Sequence, residues 1–264
     1  MAELKVSPIA SRLRASILQQ AVEGKLVPQD PAEGTADELL EQIREQRAEL
    51  VKQRKAKAPK GGESRIYQGA DGSWYEQRGK GEPKCIDEEI PFDIPESWGW
   101  ARVGDVAVHQ NGFAFKPTDR TPEGIPIVRI QNLTDESTPF NRTNMVVDDC
   151  FRLKSGELLV SWSATLKAFM WNRGDAYLNQ HIFKVTPYDG IEKRYYACFM
   201  NCTLPKMKGK TNGTTLHHLT KPVYEGMLFP IPPTAEQNRI LAKIDALMPL
   251  VDELEIRERE RAML

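Results

Sequence analysis

Apolar side chains recur every three to four positions at both ends of the chain and form short blocks in its middle. That pattern predicts helical ends around a strand-rich centre. From Arg12 to Glu23, Leu13, Ile17, Leu18, Ala21 and Val22 share one helix face, and Gly24 is a natural stop. Pro28 and Pro31 keep the next stretch extended. Thr35 and Glu38 have capping-box spacing and open a second helix, predicted to reach about Lys57 with Leu39, Ile43, Leu50 and Val51 on one side. Near the other end, Thr234-Ala235-Glu236-Gln237 follows Pro232-Pro233 as a start signal. Ile240, Ile244, Leu247, Val251 and Leu254 then fall at spacings of 4, 3, 4 and 3, the seam of a helix-pairing coiled coil. Pro249 interrupts that seam without an N–H to give, so a kink or restart is expected there.

The middle reads differently. Ile125–Ile130, Glu157–Trp162, Ala168–Trp171 and His181–Val185 are short, β-branched or aromatic, and bounded by Gly, Pro, Asn or Asp, which predicts strands. Residues 58–97, punctuated by Pro59 and a series of glycines, read as a linker-like excursion with two short strands, Arg65-Ile66-Tyr67 and Ser73-Trp74-Tyr75, around a turn. The organisation expected is a helical region over 1–57, an acidic Gly-rich linker over 58–97, a strand-rich domain over 98–232 and a terminal helix over 233–264. The fold class is α/β in the α+β sense.

Composition permits a core: 40% of the 264 residues are hydrophobic and 28% charged. No stretch approaches the roughly 18 uncharged apolar residues of a membrane span, so no membrane partner and a cytoplasmic location are expected. The net charge of −1 hides an uneven distribution, with −5 over residues 61–100 and +4 over 101–230. The basic middle suits a phosphate-bearing partner, while a solvated face is the plainer alternative. Cys198 and Cys202, with His217 and His218, could be imagined as zinc ligands. Their apolar helical setting favours buried free thiols, and no metal site is assigned. Asp189, Glu192 and Lys193 faintly suggest nuclease carboxylates, although Asp189-Gly190 is more simply a turn. No catalytic residues are assigned. The chain holds no Asn-Pro-Pro-aromatic tetrapeptide, no P-loop and no G-x-S-x-G elbow.

Several segments together resemble one family. Leu13 to Gln29, Ile94-Pro95-Glu96-Ser97-Trp98-Gly99-Trp100, Val103-Gly104-Asp105, Gly156-Glu157-Leu158-Leu159, Leu178 to Val185 and Ile231 to Gln237 closely resemble the specificity subunit of type I restriction-modification systems, in the same order. The resemblance implies a non-catalytic DNA-reading protein. It also implies a target recognition domain of strands and loops, flanked by helical regions that space two such halves and dock methyltransferase subunits. In that family the assembled complex methylates adenine, and a restriction subunit adds cleavage. S-adenosylmethionine, ATP and Mg would then belong to partner subunits, with no cofactor in this chain. The 264 residues hold one recognition domain only, so this is expected to be either a segment of a longer subunit or a half that pairs with itself as a homodimer reading inverted half-sites.

Side chains suited to double-stranded DNA fall in four places. Lys116 follows Asn111-Gly112, where glycine permits a tight turn. Arg129 is expected to leave its strand on the polar face, followed by the adenine-suited amides of Gln131 and Asn132. Ser163, Thr165 and Lys167 emerge from a strand end near Asn179-Gln180-His181, for which a scaffold role is favoured. The fourth place is the basic, carboxylate-free strip of Lys206, Lys208, Lys210, Asn212, Thr214 and His217, expected to clamp the backbone. Five phosphate contacts there would give a salt slope of about −4 to −5. Rival readings are a single-chain methyltransferase or nuclease, and a structural helix-pairing protein that reads no DNA.

Overall fold

The computed structural model describes residues 8–54, 56–59, 61–207 and 219–262. In chain order the elements begin with α1 (Pro8–Val22), α2 (Ala36–Lys52), β1 (Ser64–Gln68), β2 (Trp74–Arg78), β3 (Lys84–Cys85) and β4 (Gly99–Arg102). Then come α3 (Val103–Val106), β5 (Ala107–Asn111), β6 (Ile125–Val128), α4 (Ile130–Thr134), β7 (Asn141–Thr143) and β8 (Arg152–Leu153). The remainder are β9 (Glu157–Ser161), β10 (Lys167–Trp171), β11 (Ala176–Leu178), β12 (Ile182–Pro187), α5 (Lys193–Met207), α6 (Lys221–Glu225), β13 (Leu228–Ile231) and α7 (Thr234–Ala262). The class is α+β, and the chain divides into two compact units.

The first unit comprises residues 1–101, 190–202 and 228–264. Its amphipathic helices bury their apolar stripes against one another: α1 packs on α7, and Ala10, Ile17, Ala21 and Val22 of α1 are buried together with Ile240, Ile244 and Val251 of α7. Leu247 and Leu254 are partly buried. Arg14 tethers the same pair of helices through Asp252 at 2.5 Å and Glu255 at 3.3 Å. Pro249 does not stop α7, which runs unbroken to Ala262. The proline is exposed, so water is available to the carbonyl its ring displaces.

Gly24 ends α1 in the left-handed region, at φ +69°. Thr35 caps α2 without a side-chain bond. The expected capping box is absent; one of the helix's first amides, that of Ala36, is satisfied by the Ser97 carbonyl at 2.8 Å. α2 is also shorter than expected, ending before Arg54, which has φ +60°.

The stretch expected to be a linker is folded. β1, β2 and β3 form an antiparallel sheet, and Ile66 and Ile86 share a core with Trp100 and Leu228, packed by Trp74, Ile90, Phe92 and Ile94. Of these strands only β1 buries an apolar side chain, Ile66; the buried residue of β2 is Glu76, and the other buried members of the core come from residues after β3. β4 pairs with β13, and Phe229 packs on Tyr195, Tyr196 and Phe199 with ring centroids 4.8–5.9 Å apart.

The second unit comprises residues 102–189 and 203–227. It holds two four-stranded sheets, of order β10-β9-β12-β5 and β7-β6-β11-β8. The first is antiparallel throughout, whereas β11 runs parallel to β6 in the second. β9 is flanked on both edges, which accounts for its continuous Leu158-Leu159-Val160 run, each residue fully buried. Val128, Leu153, Leu159, Trp171, Ala176, Leu178 and Ile182 form the core.

Candidate nucleic-acid interface

β6 ends at Val128, earlier than the sequence pattern suggests, so Arg129 does not project from a strand. It caps α4 instead, and Asn132 explains why. The Asn132 side chain is fully buried. Its Oδ1 accepts from the Arg129 amide at 3.1 Å, and its Nδ2 donates to the Thr138 and Pro139 carbonyls at 3.0 and 3.3 Å. Every polar atom of that amide is used, so the expectation that Asn132 faces adenine is corrected: it ties α4 to the following loop.

Arg129 is half-buried and lies along the same loop. Its Nη2 donates to the Pro139 carbonyl at 3.2 Å. Gln131 and Asn141 bring their side-chain amides to it, and with each amide assigned so that its oxygen faces the guanidinium, Gln131 accepts at 2.9 and 3.2 Å and Asn141 at 3.2 Å. Burial depresses the Arg129 pKa, and the nearby charge of Arg120 adds to the effect. Arg173 donates to the Asn132 carbonyl and lies over Phe140 and Trp171, 5.1 and 4.9 Å from the ring centroids. Arg142 donates to the Gly124 carbonyl at 2.9 Å.

Lys116 is exposed, and its amide donates to Asp119 at 2.7 Å. The glycine before it does not serve a left-handed turn. Gly112 sits where two backbones nearly touch: its amide donates to the Ile182 carbonyl at 3.1 Å and the Phe113 amide to the Leu178 carbonyl at 2.8 Å. The neighbouring phenylalanines pack inward, Phe113 against Phe115 and Phe151.

In the loop after β9, Ser163 is buried, which corrects its expected role as an outward hydroxyl. The turn folds back because Ser161 Oγ donates to the Thr165 carbonyl and Ala164 adopts φ +57°. Thr165 is half-buried and Lys167 exposed, with its ammonium 5.5 Å from the Phe169 centroid. The Asn179 amide bonds the Val128 carbonyl at 3.1 Å, and the Leu219 amide bonds the Trp162 carbonyl at 2.9 Å. Lys206 lies exposed in the last turn of α5. Lys208, Lys210, Asn212, Thr214 and His217 lie outside the described residues.

The second unit also holds a buried histidine. His109 lies 3.3 Å from Glu225, edge-on to Tyr224 and Phe183, and its carbonyl accepts from Lys221. Burial pushes its pKa below 6.5 despite Glu225, and Lys221 also lowers it. The unfolded chain therefore binds a proton that the folded unit refuses, so stability is full above about pH 6.5 and falls on acidification below it. Urea midpoints measured from about pH 7.5 to 5.5 should drop. His109→Gln should flatten that drop, and equal slopes for the two proteins would refute the assignment.

In the first unit, the segments that carry the family resemblance make structural bonds. Glu236, buried, accepts from Trp98 Nε1 at 2.8 Å and Gln29 Nε2 at 2.6 Å. Gln29 in turn accepts from Ser97. Gln237 donates to the Gly190 and Pro232 carbonyls and accepts from the Glu192 amide. Arg239 forks onto Glu33 at 2.7 Å through Nε and Nη2.

The second unit thus brings Arg129 and Gln131 together with Arg120, Asn141 and Arg173, none of which was singled out from the sequence. Lys116 and Lys167 are exposed elsewhere on the same unit.

The family model for the type I restriction modification DNA specificity domain matches residues 95–261. The chain is 30% identical over 262 residues to the Type I restriction enzyme EcoAI specificity subunit of Escherichia coli, covering 92% of this chain and 40% of that protein. It is 28% identical over 169 residues to the EcoBI specificity subunit of Escherichia coli, covering 63% of this chain and 35% of that protein. It therefore spans about two fifths of the curated relatives' length. Two solved structures share the fold at 18% identity. One, from work on complex assembly and conformational transition of the type I R-M system, has a TM-score of 0.54 and covers 97% of this chain and 56% of that one. The other, the HsdS subunit from Thermoanaerobacter tengcongensis, has a TM-score of 0.50 and covers 67% and 43%.

Proposed function

The chain belongs to the family of type I restriction-modification DNA specificity domains, and from that premise we propose that it reads one part of a bipartite DNA target for a restriction-modification complex. The observation that carries the proposal is that the matched region, residues 95–261, includes the whole second unit, where, among the described residues, Arg120, Arg129 and Arg142 bond neutral acceptors and no carboxylate. Guanidinium groups left without carboxylates are available to phosphates and base edges.

Methyltransferase and restriction subunits are the protein partners in this reading. The helices of the first unit supply the docking surface for the methyltransferase. Catalysis rests with those partners, which would bring S-adenosylmethionine, ATP and Mg. The complex would act where the DNA is, in the cytoplasm.

The test is selection from random duplexes, with the purified chain alone and with its cognate methyltransferase subunit. A selected sequence should emerge, and affinity should fall steeply with salt, at a slope of about −4 to −5 if five phosphates are met. No sequence preference in either case would refute the reading. Methylation or cleavage by the lone chain would favour an enzyme instead.

A further inference from the structure

Arg120 lies in the loop before β6, one residue before Thr121, which bridges to Arg142 of β7. With the Asn141 amide assigned so that its oxygen faces these donors, Arg120 Nε lies 3.0 Å and Arg129 Nη1 3.2 Å from that oxygen. Two guanidinium groups therefore share one neutral acceptor. Among the described residues no carboxylate forms an ion pair with Arg120 or Arg129, whereas Arg14, Arg152, Arg194 and Arg239 each hold at least one. Arg129 is further fixed by Gln131 and the Pro139 carbonyl. Arg120 itself is exposed.

Like charges brought together this way repel, and neutral amides relieve only part of the cost. An anion seated between them would restore the balance. Because Nε of Arg120 is already bonded to Asn141, its two terminal nitrogens remain for a ligand. Their planar spacing matches the paired oxygens of a phosphate group.

We infer that Arg120, held by Asn141 and backed by Arg129, binds one phosphate of the DNA backbone. The inference rests on the DNA-reading function proposed above and adds a contact that no local motif reveals. Asn141 and Arg129 are positioning residues in this arrangement: one aims the guanidinium, and the other deepens the positive potential behind it. A base edge would also accept Arg120, but its effect would be sequence-dependent.

The experiment is fluorescence anisotropy of the full chain with duplexes of several unrelated sequences over a salt series, comparing wild type, Arg120→Gln and Arg65→Gln, with circular dichroism confirming that each is folded. Loss of one phosphate contact should make the salt slope of Arg120→Gln shallower by about 0.9 and lower affinity roughly eightfold at about 0.1 M salt, equally for every duplex. Arg65→Gln, in the first unit, should match wild type.

An unchanged slope in Arg120→Gln overturns the assignment, as does a loss confined to one sequence, which would mean base reading. If wild type binds no duplex, the DNA-reading proposal fails and pyrophosphate decides the rest. A pyrophosphate-induced rise in wild-type melting temperature that is absent in Arg120→Gln keeps an anion site at this place, and no rise removes it.

Discussion

Replacing Ile244 and Val251 together by Asp is expected to unfold the helical unit, not merely to separate copies of the chain. Both side chains are buried, at 8% and 1% exposure, on a helix that packs against α1 of the same chain. Each change removes an apolar contact and leaves a carboxylate desolvated. The two sites lie two helical turns apart, about 10 Å, so their costs should add. A combined loss of roughly 5 kcal/mol follows. Because domains are stable by only about 5–15 kcal/mol, thermal unfolding followed by circular dichroism should begin well below the wild-type transition. Leu250→Asp is the control, since Leu250 is 61% exposed; it should stay within about 0.5 kcal/mol of wild type. A double variant that melts like wild type would show that the seam closes on something other than α1. Sedimentation mass gives the second readout: a folded variant of reduced mass would restore pairing between copies as the seam's purpose.

Gly112→Ala is expected to disrupt the second unit just as strongly. A Cβ at this position would lie 2.1 Å from the Asn179 carbonyl oxygen and 2.6 Å from that of Leu178. These are backbone atoms, fixed by the bonds that Gly112 and Phe113 make to Ile182 and Leu178, so no flexible group can yield. The chain must break those bonds or shift β5 relative to β11, at a cost of about 3 kcal/mol or more. Hydrogen exchange should show lost protection at Gly112 and Phe113 and along β12. Ala114→Ser, two residues on at an exposed position, should leave protection as in wild type. Unaltered exchange in Gly112→Ala would mean that the two segments are not in contact.

Periodicity identified α1, α2 and α7, each with an inward stripe long enough to register over several turns, but not α3, α4 or α6, which span four or five residues. It also found β6, β9, β10 and β12, whose side chains are mostly apolar. It missed β3, β4, β7, β8, β11 and β13, which span two to four residues and carry too few side chains for any pattern, and also the five-residue β5, whose Ala107-Val108-His109-Gln110-Asn111 is more than half polar. The acidic stretch around β1 and β2 was read as a linker since glycines and charges outnumber its inward residues; its buried apolar residues are Ile66 and Ile86, with Trp74, Ile90, Phe92 and Ile94 packed partly buried against them.

The reading surface was legible only in its composition. Arg129 and Gln131 were recognised by residue type, but Asn132 is used for capping and Ser163 faces inward, roles set by backbone turns that no local spacing announces. Arg120 was invisible because the groups that orient it, Asn141 and Arg129, arrive from 21 and 9 residues away. Gly112 was correctly marked as special for the wrong reason. A close approach between strands depends on residues 178–182, whereas a turn would be local.

The bond between Arg14 and Asp252 joins residues 238 positions apart, and Glu236 gathers Trp98 and Gln29 across 138 and 207 positions. During synthesis at about 5–20 residues per second, α1 therefore emerges some ten to fifty seconds before its partner helix exists. For that interval Ala10, Ile17, Ala21 and Val22 have no α7 to pack against. The second unit, whose strands pair over far shorter separations, can form while the N-terminal helix waits. The order of assembly would thus depart from the order of translation, with α1, made before the second unit, finding its place after it.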